Sequence, residues 1–287
     1  ENSYTLYDYK ARPIKNYKNN HSGGFLQVDQ VIDFEGKISK AVTSHRLTNS
    51  SELVLITDNF VFDPQGRLEK QTQKTNYNNN EEVLFFNEFN ELGQLLNKKV
   101  GGNGSYYHQK VDYRYNIRGW LKGINNVDAL TAGNEPADLF AFKINYNDVD
   151  TDLGGTIKKL YNGNISETSW RSASDGVLRR YGFQYDHLNR LNEAIYQKPE
   201  TTGADNSYNE SINYDRNGNI TALFRNGYLD GDGSNVLTID NLEYVYQCNQ
   251  LYSVTDQTMS LDGFKDGNQQ GNDYDYDENG NMRKDLN

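Results

Sequence analysis

A seven-residue pattern that occurs twice constrains this chain more than any other feature of its sequence. Residues 214–220 and 276–282 both consist of Tyr, Asp, two polar residues, Gly, Asn and an apolar residue. Asp at the first position of a type I turn can accept hydrogen bonds from its own downstream backbone, and Gly can adopt the left-handed conformation that closes the turn with a bulge. The pattern therefore predicts the tip of a β-hairpin.

Related turns recur along the whole chain when the turn glycine serves as the anchor. The ten equivalent positions are Ala11, Gly36, Gly66, Gly93, Gly119, Gly163, Asn189, Gly218, Asn249 and Gly280. Successive anchors are 25 to 31 residues apart, except for one interval of 44 residues. A period of this length indicates a repeat architecture.

Three columns of residue types keep register with the anchor. An aliphatic residue or Met lies two residues after every anchor but the first, which has Pro13 there. An aromatic residue lies four residues before seven of the anchors. Asp or Asn lies three residues before eight of them, at Asp8, Asp33, Asp63, Asn90, Asn116, Asp186, Asp215 and Asp277. Chance would not hold three columns together over ten copies, so the repeat is real.

Between the turns, apolar and polar residues alternate with the period of a β-strand, as at residues 111–115 and 242–246. No window carries a convincing helical stripe. The sequence predicts an all-β fold: a single array of antiparallel hairpins over residues 1–287. Each hairpin would stack on its neighbours to bury apolar side chains that it cannot bury alone.

Two turns and two loops depart from the pattern. Asn162-Gly163 predicts a tighter turn of the primed type, and Asn249 is expected to take the left-handed conformation where the glycine is missing. The long interval holds an acidic insertion at about residues 125–157, which we expect to be an elaborated loop. A further loop is expected at residues 228–240.

Composition supports a folded β-protein and excludes several functions. Hydrophobic residues make up 35% of the chain, but aromatic residues reach 13%, which a disordered chain would lack. The net charge of −11 argues against nucleic acid or an anionic membrane as the main partner. No apolar run approaches the roughly 20 residues that span a bilayer, and we expect no membrane insertion. Cys248 is the single cysteine, so no disulfide framework or thiol metal site is expected.

These hairpins, together with the longer stretches at residues 111–121, 161–165 and 185–191, resemble the YD repeats of RHS (rearrangement hotspot) proteins and of the related teneurins. The resemblance covers nearly the whole chain and is greatest to large bacterial surface or secreted RHS proteins. It implies a β-sheet ribbon that winds in a spiral into a hollow shell.

In many members of that family, a toxin segment follows a conserved core with an Asp-Pro self-cleavage motif and is enclosed by the shell. Asp63-Pro64 lacks that context and fits an ordinary turn, where Pro is favoured at the second position. The core and any effector are therefore expected beyond Asn287, and we expect neither cleavage nor toxicity from these residues.

Several residues were weighed as sites of chemistry. His21, His45, His108 and His187 lie in different repeats without a ligand partner at useful spacing, so structural or solvated roles are expected. Asp148, Asp150 and Asp152, and Asp230 with Asp232, are read as solvated loops, with calcium binding as the alternative. Lys159 occupies the place where an EF-hand-like loop would have Glu.

Asp273, Asp275 and Asp277 with Glu278 resemble a paired-carboxylate site for glycoside chemistry, but the repeat already explains Asp277 as a turn residue. Trp120 and Trp170 were weighed as sugar-stacking residues against ordinary packing. We expect no enzyme activity, no cofactor, and neither catalytic nor metal-binding residues.

The expected function is structural. The chain would form the wall of an RHS shell that encapsulates or displays a C-terminal effector, at the bacterial cell surface or after secretion. Its partners would be the rest of that shell, the effector and bacterial secretion machinery. The alternative is a cell-surface adhesion module whose loops at 125–157 and 228–240 bind a glycan or a protein.

Overall fold

The computed structural model describes residues 2–150, 155–201, 203–204, 206–227, 236–258 and 260–287. Every helix or strand element in these ranges is a β-strand, and the paired strands are antiparallel. The prediction of an all-β array of antiparallel hairpins is confirmed. No helix in the described ranges is long and apolar enough to cross a membrane.

The described residues form two compact units. Unit 1 comprises residues 1–125 and 131–138, and unit 2 comprises residues 126–130 and 139–287. In unit 1, ten strands follow one another in space as they do in sequence, each paired with the next. They are β1 (Ser3–Tyr7), β2 (Pro13–Asn19), β3 (Gly23–Ile32), β4 (Ile38–Thr48), β5 (Val54–Phe62), β6 (Leu68–Thr75), β7 (Asn78–Phe89), β8 (Leu95–Val100), β9 (Gln109–Tyr115) and β10 (Leu121–Ile124).

Unit 2 continues the same kind of meander with one branch. Strand β14 pairs with β13 on one side and with both β15 and β16 on the other. The last two strands pair with each other as a hairpin. The strands are β11 (Phe140–Asn145), β12 (Glu167–Ser172), β13 (Leu178–Tyr185), β14 (Leu191–Lys198), β15 (Gly203–Ala204), β16 (Glu210–Tyr214), β17 (Ile220–Gly227), β18 (Leu237–Gln247), β19 (Gln250–Asp256), β20 (Tyr274–Tyr276) and β21 (Met282–Asp285).

The acidic insertion is more than the expected loop. It contains β11, which pairs along its whole length with β12. Ala141 of this strand is fully buried against Val127 and Leu178, with Leu130 packed beside them. The strand forms because Phe140, Phe142 and Ile144 alternate with smaller or polar residues. The acidic, glycine-bearing flanks hid this short alternation in the sequence.

The second expected loop is also partly strand. Residues 228–235 lie outside the described ranges, but residues 237–240 belong to β18 and pair with β17. Only part of 228–240 is therefore available as the predicted loop.

Both expectations for the irregular turns were wrong. A type I′ turn needs positive φ at both central residues, but at Asn162-Gly163 only the glycine has it, with φ 102°. In the turn between β18 and β19 the left-handed residue is Cys248, with φ 58°, and not Asn249. That turn is shorter because Gln247 pairs directly with Gln250, which leaves two residues in the loop.

The regular turns have the predicted backbone. Each of the anchors other than Asn249 has positive φ, including Ala11 at 58° and Asn189 at 63°. In the turn at Gly218 the ladder shifts register next to Tyr214, which is the predicted bulge. At Gly218 itself φ is 95°, and a β-carbon placed there would have no neighbour within 4 Å.

Gly218→Val therefore tests the backbone requirement without a steric collision. We expect a loss of about 1–2 kcal/mol in the free energy of unfolding in urea, because a β-branched residue resists positive φ. Gly218→Asn is the matched control and should lose much less, since Asn189 occupies the same position of the preceding turn. Equal stability of the Val variant and the wild type would contradict the turn geometry.

Candidate functional site: the rows of aspartate turns

One hydrogen-bond pattern recurs in the eight turns that carry Asp or Asn three residues before the anchor. In each turn the side-chain Oδ1 accepts a hydrogen bond from the backbone N–H of the residue after the anchor, at 2.8 or 2.9 Å. In all but the Asp33 turn, Oδ1 also accepts from the N–H of the residue before the anchor, at 2.8–3.0 Å. The predicted column of turn residues is thus the column that organises the turns.

Two backbone bonds complete the turn. At Asp215, the backbone N–H donates to the carbonyl of Asn219 at 2.9 Å, and the N–H of Gly218 donates back to the carbonyl of Asp215 at 3.3 Å. The same two bonds occur at the other seven turns. One short side chain therefore supplies acceptors for N–H groups that the chain reversal removes from the strand ladder.

The residue after the anchor binds the second carboxylate oxygen. Arg12, Arg67 and Arg190 each donate from Nε to Oδ2 of their turn aspartate at 2.6 or 2.7 Å. Asn219 and Asn281 do the same from Nδ2, at 2.8 and 2.9 Å. At Asn90 the direction reverses, because the Asn90 amide donates to Gln94 Oε1 at 2.8 Å. Both arginine and amide side chains therefore make this contact.

These contacts hold the pKa of five turn carboxylates below the ordinary value of 3.8, namely those of Asp8, Asp63, Asp186, Asp215 and Asp277. The backbone N–H after the anchor is the main cause at Asp8 and Asp186. The side-chain amides of Asn219 and Asn281 are the main cause at Asp215 and Asp277. At Asp63, burial opposes ionisation, but the hydrogen bonds from Arg67 outweigh it and the pKa is lowered.

The residue after the anchor also reaches the next hairpin. The Arg12 guanidinium donates to the Asp33 carbonyl at 3.0 Å, and the Arg190 guanidinium donates to the Asp215 carbonyl at the same distance. The Arg190 guanidinium lies 4.5 Å from the centre of the Tyr214 ring. Such cation–π contacts contribute about 0.5–1 kcal/mol at exposed sites.

Unit 1 has the same stacking between successive turns. The Arg67 guanidinium lies 4.4 Å from the centre of the Phe89 ring, and Lys37 Nζ lies 5.5 Å from that of Phe62. In each case the cation follows one anchor and the ring precedes the next. We call the turns linked in this way a turn row, one in each unit.

The tyrosine hydroxyl supplies a third link in unit 2. Tyr214 Oη donates to the carbonyl of Leu191 at 2.7 Å, and Tyr185 Oη donates to that of Ile165 at 2.9 Å. Both acceptors lie two residues after the preceding anchor. Burial raises the pKa of Tyr185, so its hydroxyl remains protonated and donating. The hydroxyl thus gives Tyr a role at these two positions that Phe could not fill.

Close approach between turns adds a second reason for glycine at the anchor. A β-carbon on Gly93 would lie 3.2 Å from the Arg67 guanidinium, and one on Gly119 would lie 3.3 Å from Gln94 Nε2. The side chain of one turn crosses the backbone of the next. The three columns of the sequence pattern do not include the residue directly after the anchor, so they did not predict this contact. The enrichment of that position in Arg, Lys, Gln and Asn was the available signal.

Two of the four candidate carboxylates, Asp273 and Asp277, have structural partners. Asp273 is buried, and its carboxylate accepts hydrogen bonds from the Val254 backbone N–H at 2.7 Å and from Asn268 Nδ2 at 3.0 Å. Asp277 is the turn residue that the repeat predicts. Asp275 and Glu278 are exposed. Both bound carboxylates therefore support backbone structure.

The calcium alternative falls partly outside the described residues, because Asp152, Asp230 and Asp232 are not described. Asp150 forms an ion pair with Lys143 at 2.6 Å. Burial opposes its ionisation, but the hydrogen bond from Lys143 outweighs it and the Asp150 pKa is lowered. Within the described ranges, His, Cys, Asp and Glu form no group of three that could hold a metal ion.

The tryptophans contact protein groups. The Trp170 ring stacks on Tyr181 at 5.7 Å and tilts against Tyr196 at 6.2 Å. The Arg118 guanidinium lies 5.2 Å from the Trp120 ring centre. These contacts agree with packing, the second of the two roles weighed for them.

The four histidines remain dispersed in the structure. His21 and His187 lie exposed in turns, His45 is half-buried in β4, and His108 packs edge-on against the Tyr106 ring at 5.4 Å. Asp63-Pro64 lies in a regular turn, where Asp63 accepts from the N–H groups of Gln65 and Arg67.

Tyr214→Phe tests the link between hairpins. We expect a loss of about 1 kcal/mol in the free energy of unfolding, because the hydrogen bond to the Leu191 carbonyl is removed while the ring remains. Tyr252→Phe is the control, since the Tyr252 hydroxyl donates to no described residue, and it should be neutral. Equal effects of the two substitutions would argue against the link.

The lowered carboxylate pKa values predict acid sensitivity. The folded state favours the ionised turn aspartates, so their contribution is complete above the ordinary value of 3.8 and is lost as the pH falls through the lower folded-state pKa. The urea midpoint should therefore fall on acidification below about pH 4. Asp215→Asn combined with Asp277→Asn should flatten this decline, because Asn90 and Asn116 form the same turn without a titrating group.

Asp128→Asn combined with Asp275→Asn removes the same number of charges at exposed positions and is the control. It should retain the acid-induced decline of the wild type. If the urea midpoint of the turn variant fell as steeply with acidification as that of this control, the turn carboxylates would not be the source of the acid sensitivity.

Comparison with known proteins shows a likeness in fold and none in sequence. No protein-family model matches the chain, and no curated protein is similar to it. The crystal structure of TcdB2-TccC3-Cdc42 matches with a TM-score of 0.50 and 10% identity, over 91% of this chain and 15% of that chain. This chain thus spans about a seventh of the length of the structure it resembles, and the likeness concerns the fold alone.

Two further structures align over similar lengths with lower scores. A mutant Photorhabdus luminescens Tc holotoxin pore matches with a TM-score of 0.32 and 8% identity, over 89% of this chain and 14% of that chain. TcdB2-TccC3 without the hypervariable C-terminal region matches with a TM-score of 0.29 and 10% identity, over 91% of this chain and 19% of that chain.

Proposed function

We infer that this chain is a section of the wall of an RHS-type shell, which encapsulates or displays an effector carried C-terminally on the same polypeptide. The turn rows are the observation that carries this proposal. A wall built from one long meander needs each hairpin to be fixed to the next beyond the backbone ladder. The arginine, tyrosine and amide contacts between successive turns supply that fixation.

The links continue over successive hairpins within each unit. In unit 2, Asn162 donates to Asn189 Oδ1 at 2.6 Å, Arg190 donates to the next turn, and Asn217 donates to Asn249 Oδ1 at 3.2 Å. Asp273 and Asp277, two of the four candidate carboxylates, bind backbone N–H groups. We propose accordingly that the chain has no enzymatic role of its own.

The fold likeness supports the same proposal. The matched chain belongs to a crystal structure of TcdB2-TccC3-Cdc42, and this chain corresponds to 15% of its length. By analogy, the remaining wall and the effector would be the principal partners, and bacterial secretion machinery would deliver the assembly. The protein would then be secreted or displayed on the bacterial surface.

One observation favours the alternative of a surface-binding module. Large apolar side chains stand almost fully exposed at the turn tips of unit 1, with Tyr9 at 89%, Phe34 at 87% and Leu92 at 84% exposure, and with Ile117 also exposed. Exposed apolar groups in a row are typical of interaction surfaces. A protein or glycan partner would then bind at the turn tips and not at the loops first considered.

The mass of the full-length natural protein, under native and then denaturing conditions, distinguishes these functions. We expect one native mass that separates into a large and a small species on denaturation, because a clipped effector would remain held by its shell. A single uncleaved chain in both conditions, together with specific binding on a glycan or protein array, would favour the surface module instead.

A further inference from the structure

Five Asn-Gly pairs give this chain five places where an asparagine can modify itself. They are Asn103-Gly104, Asn162-Gly163, Asn217-Gly218, Asn226-Gly227 and Asn279-Gly280. In such a pair the backbone nitrogen of Gly can attack the side-chain carbonyl carbon of Asn, since no Gly side chain shields it. All five share the Asn-Gly pair itself, whereas their contacts in the folded protein differ.

In three pairs the glycine backbone is already engaged. The N–H of Gly218 donates to the Asp215 carbonyl at 3.3 Å, and that of Gly280 donates to the Asp277 carbonyl at 2.9 Å. Asn226-Gly227 lies within β17, where Gly227 pairs with Leu237. At Gly218 and Gly280 the attacking nitrogen must leave these bonds before it can react, and at Gly227 the backbone must leave the strand pairing.

At Asn162 the side-chain amide nitrogen, which would leave as ammonia, is held by a hydrogen bond. This Nδ2 donates to Asn189 Oδ1 at 2.6 Å, and Asn162 Oδ1 accepts from the backbone N–H of Asn164 at 3.0 Å. The contact with Asn189 links two turns of the unit 2 turn row. Reaction there would break that link.

Asn103-Gly104 differs from all of these. Both residues are exposed, and the N–H of Gly104 donates to no described residue. Asn103 Oδ1 accepts two backbone N–H groups, from Ser105 at 3.0 Å and from Tyr106 at 3.3 Å. Paired N–H donors aimed at a carbonyl oxygen stabilise the negative charge that grows there during attack, as in an oxyanion hole.

We propose that Asn103 is a site of self-modification by deamidation. The Gly104 nitrogen loses its proton to solvent and bonds to Asn103 Cγ, the Cγ–Nδ2 bond breaks, and ammonia leaves with a proton from water. The resulting succinimide ring adds water at either carbonyl. The products are aspartate and isoaspartate at position 103, each with one more negative charge.

The surrounding loop has little room for the isoaspartate product, which adds a carbon to the main chain. A β-carbon on Gly102 would collide with the Tyr106 carbonyl, and the Gly102 carbonyl accepts from the Val83 N–H at 2.9 Å. Modification at Asn103 would therefore disturb the end of the β7–β8 pairing. The aromatic contact between Tyr106 and His108 lies in the same loop.

The test is timed incubation of the folded protein in mildly alkaline buffer, with peptide mapping by mass spectrometry of all five asparagines. We expect deamidation at Asn103 about fivefold or more faster than at Asn217, Asn226 and Asn279, which corresponds to the loss of one ordinary hydrogen bond at the attacking nitrogen. Asn103→Gln should abolish the modification of this peptide, because its longer side chain would have to close a larger ring.

The same incubation in concentrated urea is the control for sequence effects. There the five sites should react at similar rates, because the contacts that distinguish them are gone. The proposal is overturned if Asn103 is not the fastest site in the folded protein. It is also overturned if the rate order is the same folded and unfolded.

Discussion

The hydrogen bonds to one short side chain at the tip of each hairpin are the interaction on which this structure depends. A chain that reverses direction removes backbone N–H groups from the strand ladder, and these groups need acceptors. Asp or Asn three residues before the anchor provides one oxygen for two of them. A glycine, or another residue in the left-handed conformation, then allows the next strand to begin. Seven of the eight turns repeat this arrangement, and the Asp33 turn has one of the two side-chain bonds.

The link between hairpins depends on where each turn places the side chain of the residue after the anchor. Fixing Oδ2 of the aspartate also fixes the arginine or amide that follows the anchor. That side chain then extends over the backbone and aromatic ring of the next turn, as Arg67 does over Phe89 and Gly93. The tyrosine returns a hydrogen bond from the later hairpin to the earlier one, as from Tyr214 to Leu191. Several successive hairpins within each unit thus have contacts that do not involve the strand ladder.

Much of this could be read from the sequence, because local turn chemistry decides it. The all-β class, the Asp and Asn column, and the left-handed glycines such as Gly218 all depend on residues within one turn. The predictions from sequence were wrong where the residue pattern of a single strand or turn was weak. Strand β11 is only six residues long, and its flanks have loop composition. Cys248 takes the left-handed conformation because the turn is one residue shorter, a difference that pairing across strands determines and residue type does not.

The sequence patterns also did not predict which groups the turn side chains contact in neighbouring hairpins. Distances of 25 or more residues separate Arg190 from the Asp215 carbonyl and Asn162 from Asn189. Such contacts depend on which turns lie side by side, which only the strand order reveals. The buried Asp273 is a similar case, since the backbone of β19 supplies its partner. Two of the four candidate carboxylates, Asp273 and Asp277, thus accept hydrogen bonds from the backbone.

Hydrogen exchange of the turn amides measures the central interaction most directly. The N–H groups of Arg12, Arg67 and Asn219 all donate to a turn carboxylate in the folded protein. They should exchange as slowly as amides in the neighbouring strands, although they lie at hairpin tips where amides are ordinarily open to water. Exchange of these amides at the rate of an unstructured peptide, while the strands stay protected, would contradict the account.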